Sequence, residues 1–111
     1  MAEASNMKVE VLYFDGCPGY ETAVKKLEDV LFDKGLEAEV ELVSVGTDEE
    51  AELLRFPGSP TIRVDGHDLF PIAERSSYAL GCRTYITDEG LRSSPTAPML
   101  RDALEKLSAR S

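Results

Sequence analysis

A chain of 111 residues, 42 % of them hydrophobic, is long enough for a single domain with one modest core. Its 21 acidic residues outnumber the 12 Lys and Arg, and the net charge of −9 repels both nucleic acid and anionic membrane surfaces. No apolar run approaches the roughly 20 residues of a membrane span, and no signal peptide is visible. We therefore expect a cytoplasmic protein without nucleic-acid or membrane partners.

The amino-terminal third of the chain contains an extension, a strand pattern and a helix pattern. Residues 1–7 are mostly small and polar and predict a flexible extension, followed by a single domain over residues 8–111. Residues 8–14 are typical of a strand buried on one face and partly on the other. Apolar side chains at spacings of three and four then predict a helix over residues 18–34.

The middle of the chain continues the alternation and ends in a hairpin. Residues 38–45 indicate a second strand, and residues 47–56 indicate a short helix opened by a Thr-x-x-Glu capping box. A strand, a helix and a strand in this order favour parallel pairing of the first two strands. Residues 61–64 are rich in β-formers, and the Asp-Gly pair at 65–66 predicts a tight turn into a returning antiparallel strand at 67–70.

The pattern weakens over residues 71–95, where a structureless loop of that length would be unusual in a compact domain. Residues 83–87 have enough β character for a short edge strand or an ordered flap. Thr96 is the predicted cap of a last helix, whose apolar side chains recur on one face.

Only two cysteines are present, Cys17 and Cys82, which favours redox chemistry or metal binding over a structural disulfide scaffold. Cys17 lies between Gly16 and Pro18, after the first strand and before the first helix, with the proline suited to the first helical turn. A helix N-terminus at this point stabilises a thiolate, whereas the nearby carboxylate of Asp15 opposes it. The sign of the net pKa shift stays open, but we expect Cys17 to be alkylated faster than Cys82.

Three strings carry a family resemblance: Tyr-Phe-Asp-Gly-Cys-Pro at 13–18, Phe-Pro-Gly-Ser-Pro-Thr at 56–61 and Gly-Cys-Arg-Thr-Tyr at 81–85. With the element order β-α-β-α-β-β-α, the chain resembles the thioredoxin-like superfamily over nearly its whole length. The resemblance implies an α/β fold with a central mixed sheet flanked by helices, and an extended segment before the last helix. The strings are similar to those of a group of small bacterial thioredoxin-like proteins. Some members of that group carry selenocysteine at the position of Cys17, and some are labelled alkylmercury-lyase-like.

The resemblance also implies the composition of the site. The peptide bond between Ser59 and Pro60 would be cis and lie beside the reactive sulfur, with backbone groups free to pair with a substrate strand. Tyr20 stands where a thioredoxin has its second motif cysteine. Either Cys82 or an external thiol such as glutathione must therefore resolve a mixed disulfide on Cys17, without any other cofactor. The predicted substrate-binding residues are Pro18, Tyr20, Ser59, Pro60, Thr61 and Arg83.

Several of these residues also have a plainly structural interpretation. A free cysteine is commonly a buried small hydrophobe, and Cys82 in particular would also serve as a plug under a loop. Pro60 is compatible with an ordinary edge strand. Tyr20 begins the apolar stripe of its helix and fits a core position.

Three classes of function remain open. The leading one is a thiol oxidoreductase in which Cys17 attacks a disulfide, peroxide or electrophile, Cys82 or glutathione closes the cycle, and the partner is a protein or small-molecule thiol or disulfide. The second is a clamp for a soft ion such as mercury or copper(I), with Cys17 and Cys82 as ligands and Asp15 as a proton donor in organomercurial cleavage. The third is a redox-silent interaction module that binds peptides beside Pro60.

A final expectation concerns the segment 71–95. We expect it to fold back across the carboxyl ends of the parallel strands, where open α/β sheets place their sites, and to bring Cys82 toward Cys17. Arg83 would then add a positive charge near the sulfur that favours its thiolate.

Overall fold

The computed structural model describes residues 7–17, 19–71 and 78–110, with residues 108–110 described by their backbone alone. The predicted amino-terminal extension lies outside the described residues except for Met7, which is the first residue of the first strand. In chain order the elements are β1 (Met7–Tyr13), α1 (Tyr20–Asp33), β2 (Ala38–Ser44), α2 (Asp48–Leu54), β3 (Thr61–Val64), β4 (His67–Asp68), β5 (Tyr85–Thr87), β6 (Gly90–Arg92) and α3 (Ala97–Arg110).

A mixed sheet of four strands in the order β2-β1-β3-β4 forms the centre of the fold. β1 and β2 pair in parallel from Met7 opposite Ala38 to Tyr13 opposite Ser44, which confirms the predicted crossover. β3 is antiparallel to both β1 and β4. The predicted mixed α/β architecture is confirmed at this level: three helices accompany a central mixed sheet in the described part of the chain.

The sheet has an apolar core on each face, because alternate side chains of a strand point to opposite sides. Val9 and Val11 of β1 belong to the larger core, whereas Leu12 points into the smaller one. The larger core lies against α1 and α3 and contains Val9, Val11, Leu27, Val30, Leu31, Ile62, Val64, Leu69, Leu100 and Leu104. The smaller core lies against α2 and contains Leu12, Val45, Ala51 and Phe56. Within the residues that the structure describes, no helix is both long enough and apolar enough to cross a membrane.

The structure confirms the predicted caps of α2 and α3 and the predicted hairpin turn. Thr47 accepts a hydrogen bond from the Glu50 backbone N–H at 3.1 Å, and the Glu50 carboxylate accepts one from the backbone of Gly46 at 2.7 Å. Thr96 accepts from the backbone of Met99 at the start of α3. The turn at 65–66 has two positive φ angles, 51° and 89°, as a two-residue hairpin with this pairing requires.

The predicted start of α1 is wrong by two residues. The helix begins at Tyr20 and is preceded by Gly19 as its N-cap, with a φ of 107°. A Cβ atom at Gly19 would lie 2.6 Å from the Ser93 hydroxyl oxygen, so the chain before α3 packs closely against this helix start. Pro18 itself lies outside the described residues.

Of the two alternatives expected for residues 83–87, the edge strand of the central sheet is wrong, and an ordered flap outside that sheet agrees with the structure. β5 covers only Tyr85–Thr87, and it pairs with β6 in a separate two-stranded ribbon instead of joining the central sheet. The returning strand of the earlier hairpin is shorter than predicted as well, since β4 ends at Asp68.

Candidate functional site

Cys17 lies in the turn that follows β1. Its backbone N–H donates to the carbonyl of Phe14 at 3.1 Å, and its side chain is only 2 % exposed. The sulfur is 3.3 Å from the carbonyl oxygen of Ser59 and 2.7 Å from the sulfur of Cys82. This buried thiol therefore contacts polar groups from two distant parts of the chain.

Cys82 reaches this position on the site segment, by which we mean residues 78–92. The two cysteines are 65 positions apart in sequence and are not bonded to each other. At 2.7 Å between the sulfurs, disulfide formation needs only a small further approach. The expectation that this region brings Cys82 to Cys17 is confirmed for the described residues, and residues 72–77 lie outside them.

Backbone pairing fixes the site segment against Ser59. The Ser59 N–H donates to the carbonyl of Gly81, and the Arg83 N–H donates to the carbonyl of Ser59, both at 2.8 Å. The pairing forms an isolated parallel bridge between Ser59 and Cys82. The implied freedom of the Ser59 backbone to pair with a substrate is therefore wrong for this structure, because a strand of the same chain already occupies both groups.

Gly58 makes this close approach possible. Its φ is 134°, a conformation that favours glycine. A Cβ atom at this position would lie 2.8 Å from the Arg83 Cβ and 2.9 Å from the Arg83 backbone N and Cα. Any larger residue at position 58 would displace the segment that carries Cys82.

The bond between Ser59 and Pro60 is cis, as the family resemblance implied, and it lies next to the Cys17 sulfur. Ser59 and Thr61 are fully buried. The Thr61 hydroxyl donates to the carbonyl of Gly58 at 2.5 Å. The structure thus brings both residues to the site. There they support it from its buried side and are not exposed to a substrate.

Arg83 anchors the site segment, and the partners of its guanidinium are groups other than the Cys17 sulfur. Its side chain is only 6 % exposed, and its guanidinium donates to the Asp68 carboxylate at 2.9 Å, to the carbonyl of Phe70 and to the Thr61 hydroxyl. It also lies over the Tyr85 ring, 4.8 Å from the ring centre. A buried guanidinium needs such hydrogen-bonding and charged partners. Because these partners occupy the Arg83 side chain, it is not available to bind a substrate in this conformation.

Two further contacts attach the segment to the framework. The Tyr85 hydroxyl, which is buried, donates to the carbonyl of Pro60 at 2.6 Å. On the other side of Cys82, the backbone N–H of Tyr78 donates to Glu52 at 2.7 Å and that of Leu80 donates to Asp48 at 3.0 Å. The side chains of Tyr78 and Leu80 pack on the smaller core. These contacts explain how the described part of the long connection before α3 is held in place.

Sequence reasoning missed Asp68, Tyr85 and Gly58 as determinants of the site. One signal was available for Asp68: an arginine in a segment that must be anchored needs a carboxylate partner, and acidic residues flank the predicted hairpin. Tyr85 ends one of the three resemblance strings, but nothing in the local pattern gave its hydroxyl a partner. The closeness of Gly58 to Arg83 depends on a contact 25 positions along the chain.

Burial and, to a smaller extent, the neighbouring Cys82 sulfur raise the pKa of the Cys17 thiol from 9.0 to about 11, with the Ser59 side chain acting in the opposite direction. The thiol form therefore dominates at neutral pH. The expectation that Cys17 is alkylated faster loses its basis, because Cys17 is buried whereas Cys82 is exposed. We now expect Cys82 to be alkylated first.

The remaining predicted site residues lie around this centre. Tyr20 is half-buried and stacks on Tyr13, with ring centres 4.2 Å apart, so it is a partner in an aromatic pair at the start of α1. Asp15 is exposed. In the described ranges, no group of three or more His, Cys, Asp and Glu side chains is arranged to hold a metal ion.

Comparisons with known proteins leave the site to be interpreted from its own geometry. No protein-family model matches this chain. No curated protein and no solved structure matches it either.

Proposed function

We propose that this protein is a thiol oxidoreductase that cycles between a Cys17–Cys82 dithiol and the corresponding disulfide. The observation that carries the proposal is the 2.7 Å contact between two sulfurs that are 65 positions apart in sequence. The chain has only two cysteines, and many specific hydrogen bonds hold them in contact. A chance approach of the two sulfurs is therefore a weak explanation for this contact.

The fold supports the same interpretation. The order of the first elements and the cis bond before Pro60, beside a cysteine that follows β1, are the features that the thioredoxin-like resemblance implied. We assign the chain to that superfamily on these grounds, and to its small bacterial group on the three sequence strings. A cytoplasmic location, with glutathione or another thiol as reductant, belongs to the same proposal.

The chemistry is thiol-disulfide exchange. Two cysteine thiols and one substrate disulfide give one protein disulfide and two substrate thiols, so two electrons and two protons pass from the protein to the substrate. Because Tyr20 replaces the second motif cysteine, the exchange uses a distal sulfur instead of a Cys-x-x-Cys pair.

Mass spectrometry of the folded protein in a glutathione redox buffer tests the proposal. The reduced chain is expected to lose two hydrogen atoms at a defined ratio of glutathione disulfide to glutathione, and peptide mapping should join Cys17 to Cys82. Cys82→Ser and Cys17→Ser should each abolish the bridge. A wild-type chain that stays in the dithiol form in glutathione disulfide alone would rule out the redox cycle.

A second candidate function draws on the same contact. Two adjacent sulfurs are ligands that mercury(II) or copper(I) prefers, and the clamp would need no third protein ligand. Equilibrium dialysis against either ion with excess glutathione separates the two candidates. If the wild type retains one ion per chain and neither serine variant does, the result favours the clamp. If the wild type loses the ion to glutathione, the result favours the redox cycle.

The peptide-clamp alternative has less support. Strand addition beside Pro60 requires free backbone groups at Ser59, and both of these are paired with Gly81 and Arg83. A peptide would first have to displace the site segment with its buried arginine.

A further inference from the structure

The two sulfurs of the site differ in what can reach them. Cys17 is 2 % exposed and lies below the site segment, whereas Cys82 is exposed on that segment. Thiol-disulfide exchange requires direct contact between the attacking sulfur and a sulfur of the substrate, so access decides which cysteine reacts first. In this conformation an external disulfide meets Cys82 before Cys17.

The backbone around Cys82 adds a second, independent restriction. Gly81 and Arg83 already use the N–H and C=O groups of Ser59, which an extended peptide substrate would need for strand addition. The site segment thus occupies the place of a substrate strand, with Cys82 opposite Cys17. A peptide substrate gains no backbone hydrogen bonds from Ser59 while the segment is in place.

We infer that Cys82 is the sulfur that attacks the substrate, that Cys17 is the resolving sulfur, and that the substrate is a small-molecule disulfide and not a protein strand. This assignment rests on the proposed redox function and reverses the order that the family resemblance implied.

The reaction proceeds in two exchanges. The Cys82 sulfur, after loss of its proton, attacks one sulfur of a disulfide RSSR, so that the R–S–S–R bond breaks, a Cys82–S–S–R bond forms and one RS⁻ leaves. Cys17 then attacks the Cys82 sulfur, forms the Cys17–Cys82 bond and releases the second RS⁻. The two leaving groups take up the protons of Cys82 and Cys17 and depart as RSH.

The environment of Cys17 agrees with a resolving role. Burial, together with the neighbouring Cys82 sulfur, raises the pKa of this thiol to about 11, so it stays protonated and unreactive toward solvent species. Its sulfur nevertheless lies 2.7 Å from the atom that it must attack once Cys82 carries a substrate. Proximity compensates for a low thiolate fraction in an intramolecular step.

Glutathione disulfide is the probe for this assignment, applied separately to Cys17→Ser and Cys82→Ser. Cys17→Ser is expected to accumulate a mixed disulfide on Cys82, because nothing resolves it. Cys82→Ser is expected to be glutathionylated at least about tenfold more slowly at Cys17. Serine at position 17 keeps a donor for the Ser59 carbonyl, and Cys17→Ala serves in its place if that variant does not fold.

The outcomes separate the inference from the proposed function. If the wild-type chain forms its bridge but Cys82→Ser captures glutathione as fast as or faster than Cys17→Ser, the redox function stands and the reversed order is wrong. If the wild-type chain forms no bridge and neither variant captures glutathione, the redox function itself fails.

The substrate class has its own test. Cys17→Ser is treated with glutathione disulfide and with a disulfide-linked dimer of an extended peptide of about ten residues. The peptide is expected to react no faster than glutathione disulfide, because the Ser59 backbone is occupied. A rate for the peptide that is tenfold higher would show that it displaces the site segment and would overturn the small-molecule assignment.

Discussion

The framework of four sheet strands and three helices is held together differently from the site segment. The framework buries its aliphatic side chains in two cores, one on each face of the sheet. The ribbon of the site segment leaves Ile86 82 % exposed and Leu91 64 % exposed, and specific polar contacts attach the segment to the framework. The contrast teaches that the framework depends mainly on apolar burial, whereas the position of Cys82 depends on a few hydrogen bonds and one ion pair together with the packing of Tyr78 and Leu80 on the smaller core.

The largest expected effect comes from the same substitution in each region. Ile62→Ala in β3 removes a fully buried side chain from the larger core and should lower the free energy of unfolding by about 3–4 kcal/mol. Ile86→Ala in β5 should change it by less than about 0.5 kcal/mol, because that side chain is mostly in solvent. Chemical denaturation of both variants under reducing conditions measures the difference. Equal losses would mean that the ribbon is part of the core.

The ion pairs provide a second contrast. Arg83→Met leaves Asp68 largely buried without its cation and should cost about 3 kcal/mol. Arg101→Met removes a pair with Asp33 that is exposed and 3.6 Å long, so it should cost less than about 1 kcal/mol. Denaturation midpoints of the two variants are the measurement. A loss for Arg83→Met no larger than that for Arg101→Met would show that the site segment does not depend on this anchor.

Substitutions at two glycines compare the site segment with the framework at the site itself. Gly58→Ala places a methyl group against Arg83 and should make the Cys17–Cys82 disulfide at least about tenfold harder to form in a glutathione buffer, or about 1.4 kcal/mol. Gly35→Ala also changes a glycine with a positive φ, 66°, but meets no atom within 4 Å, and should leave the disulfide equilibrium unchanged. If both variants form the bridge as the wild type does, the segment does not need this close approach.

Titration of Cys17 perturbs the site without any substitution in the core or the ribbon. Because its folded-state pKa is raised to about 11 from 9.0, its contribution to stability is fully present below pH 9 and is lost as the pH rises toward 11. The reduced wild type should therefore lose stability over this range relative to Cys17→Ala. Denaturant titrations at several pH values provide the check. A parallel decline in both proteins would place the titrating group elsewhere.

Much of the framework follows from short stretches of sequence. The parallel pairing of β1 and β2, the hairpin turn at 65–66 and the cap at Thr96 were all predicted from spacing and turn chemistry, and the structure confirms them. The start of α1 was misread because a proline suits a first helical turn, whereas Gly19 takes the N-cap with a positive φ and lies against Ser93. That contact is not visible in the local pattern.

The sequence by itself determined the segments that become α1 to α3 and β1 to β4 and the place of Cys17 after the first strand, because these features depend on neighbouring residues. The cis bond before Pro60 was implied by the family resemblance, and its closeness to Cys17 depends on the fold. Only the tertiary structure decided that Cys17 is buried and Cys82 exposed, that Arg83 pairs with Asp68 instead of the sulfur, and that Ser59 is already paired. Each of these depends on residues far apart in the chain. Their contacts result from how the site segment packs across the sheet, and no periodicity or turn signal encodes that packing.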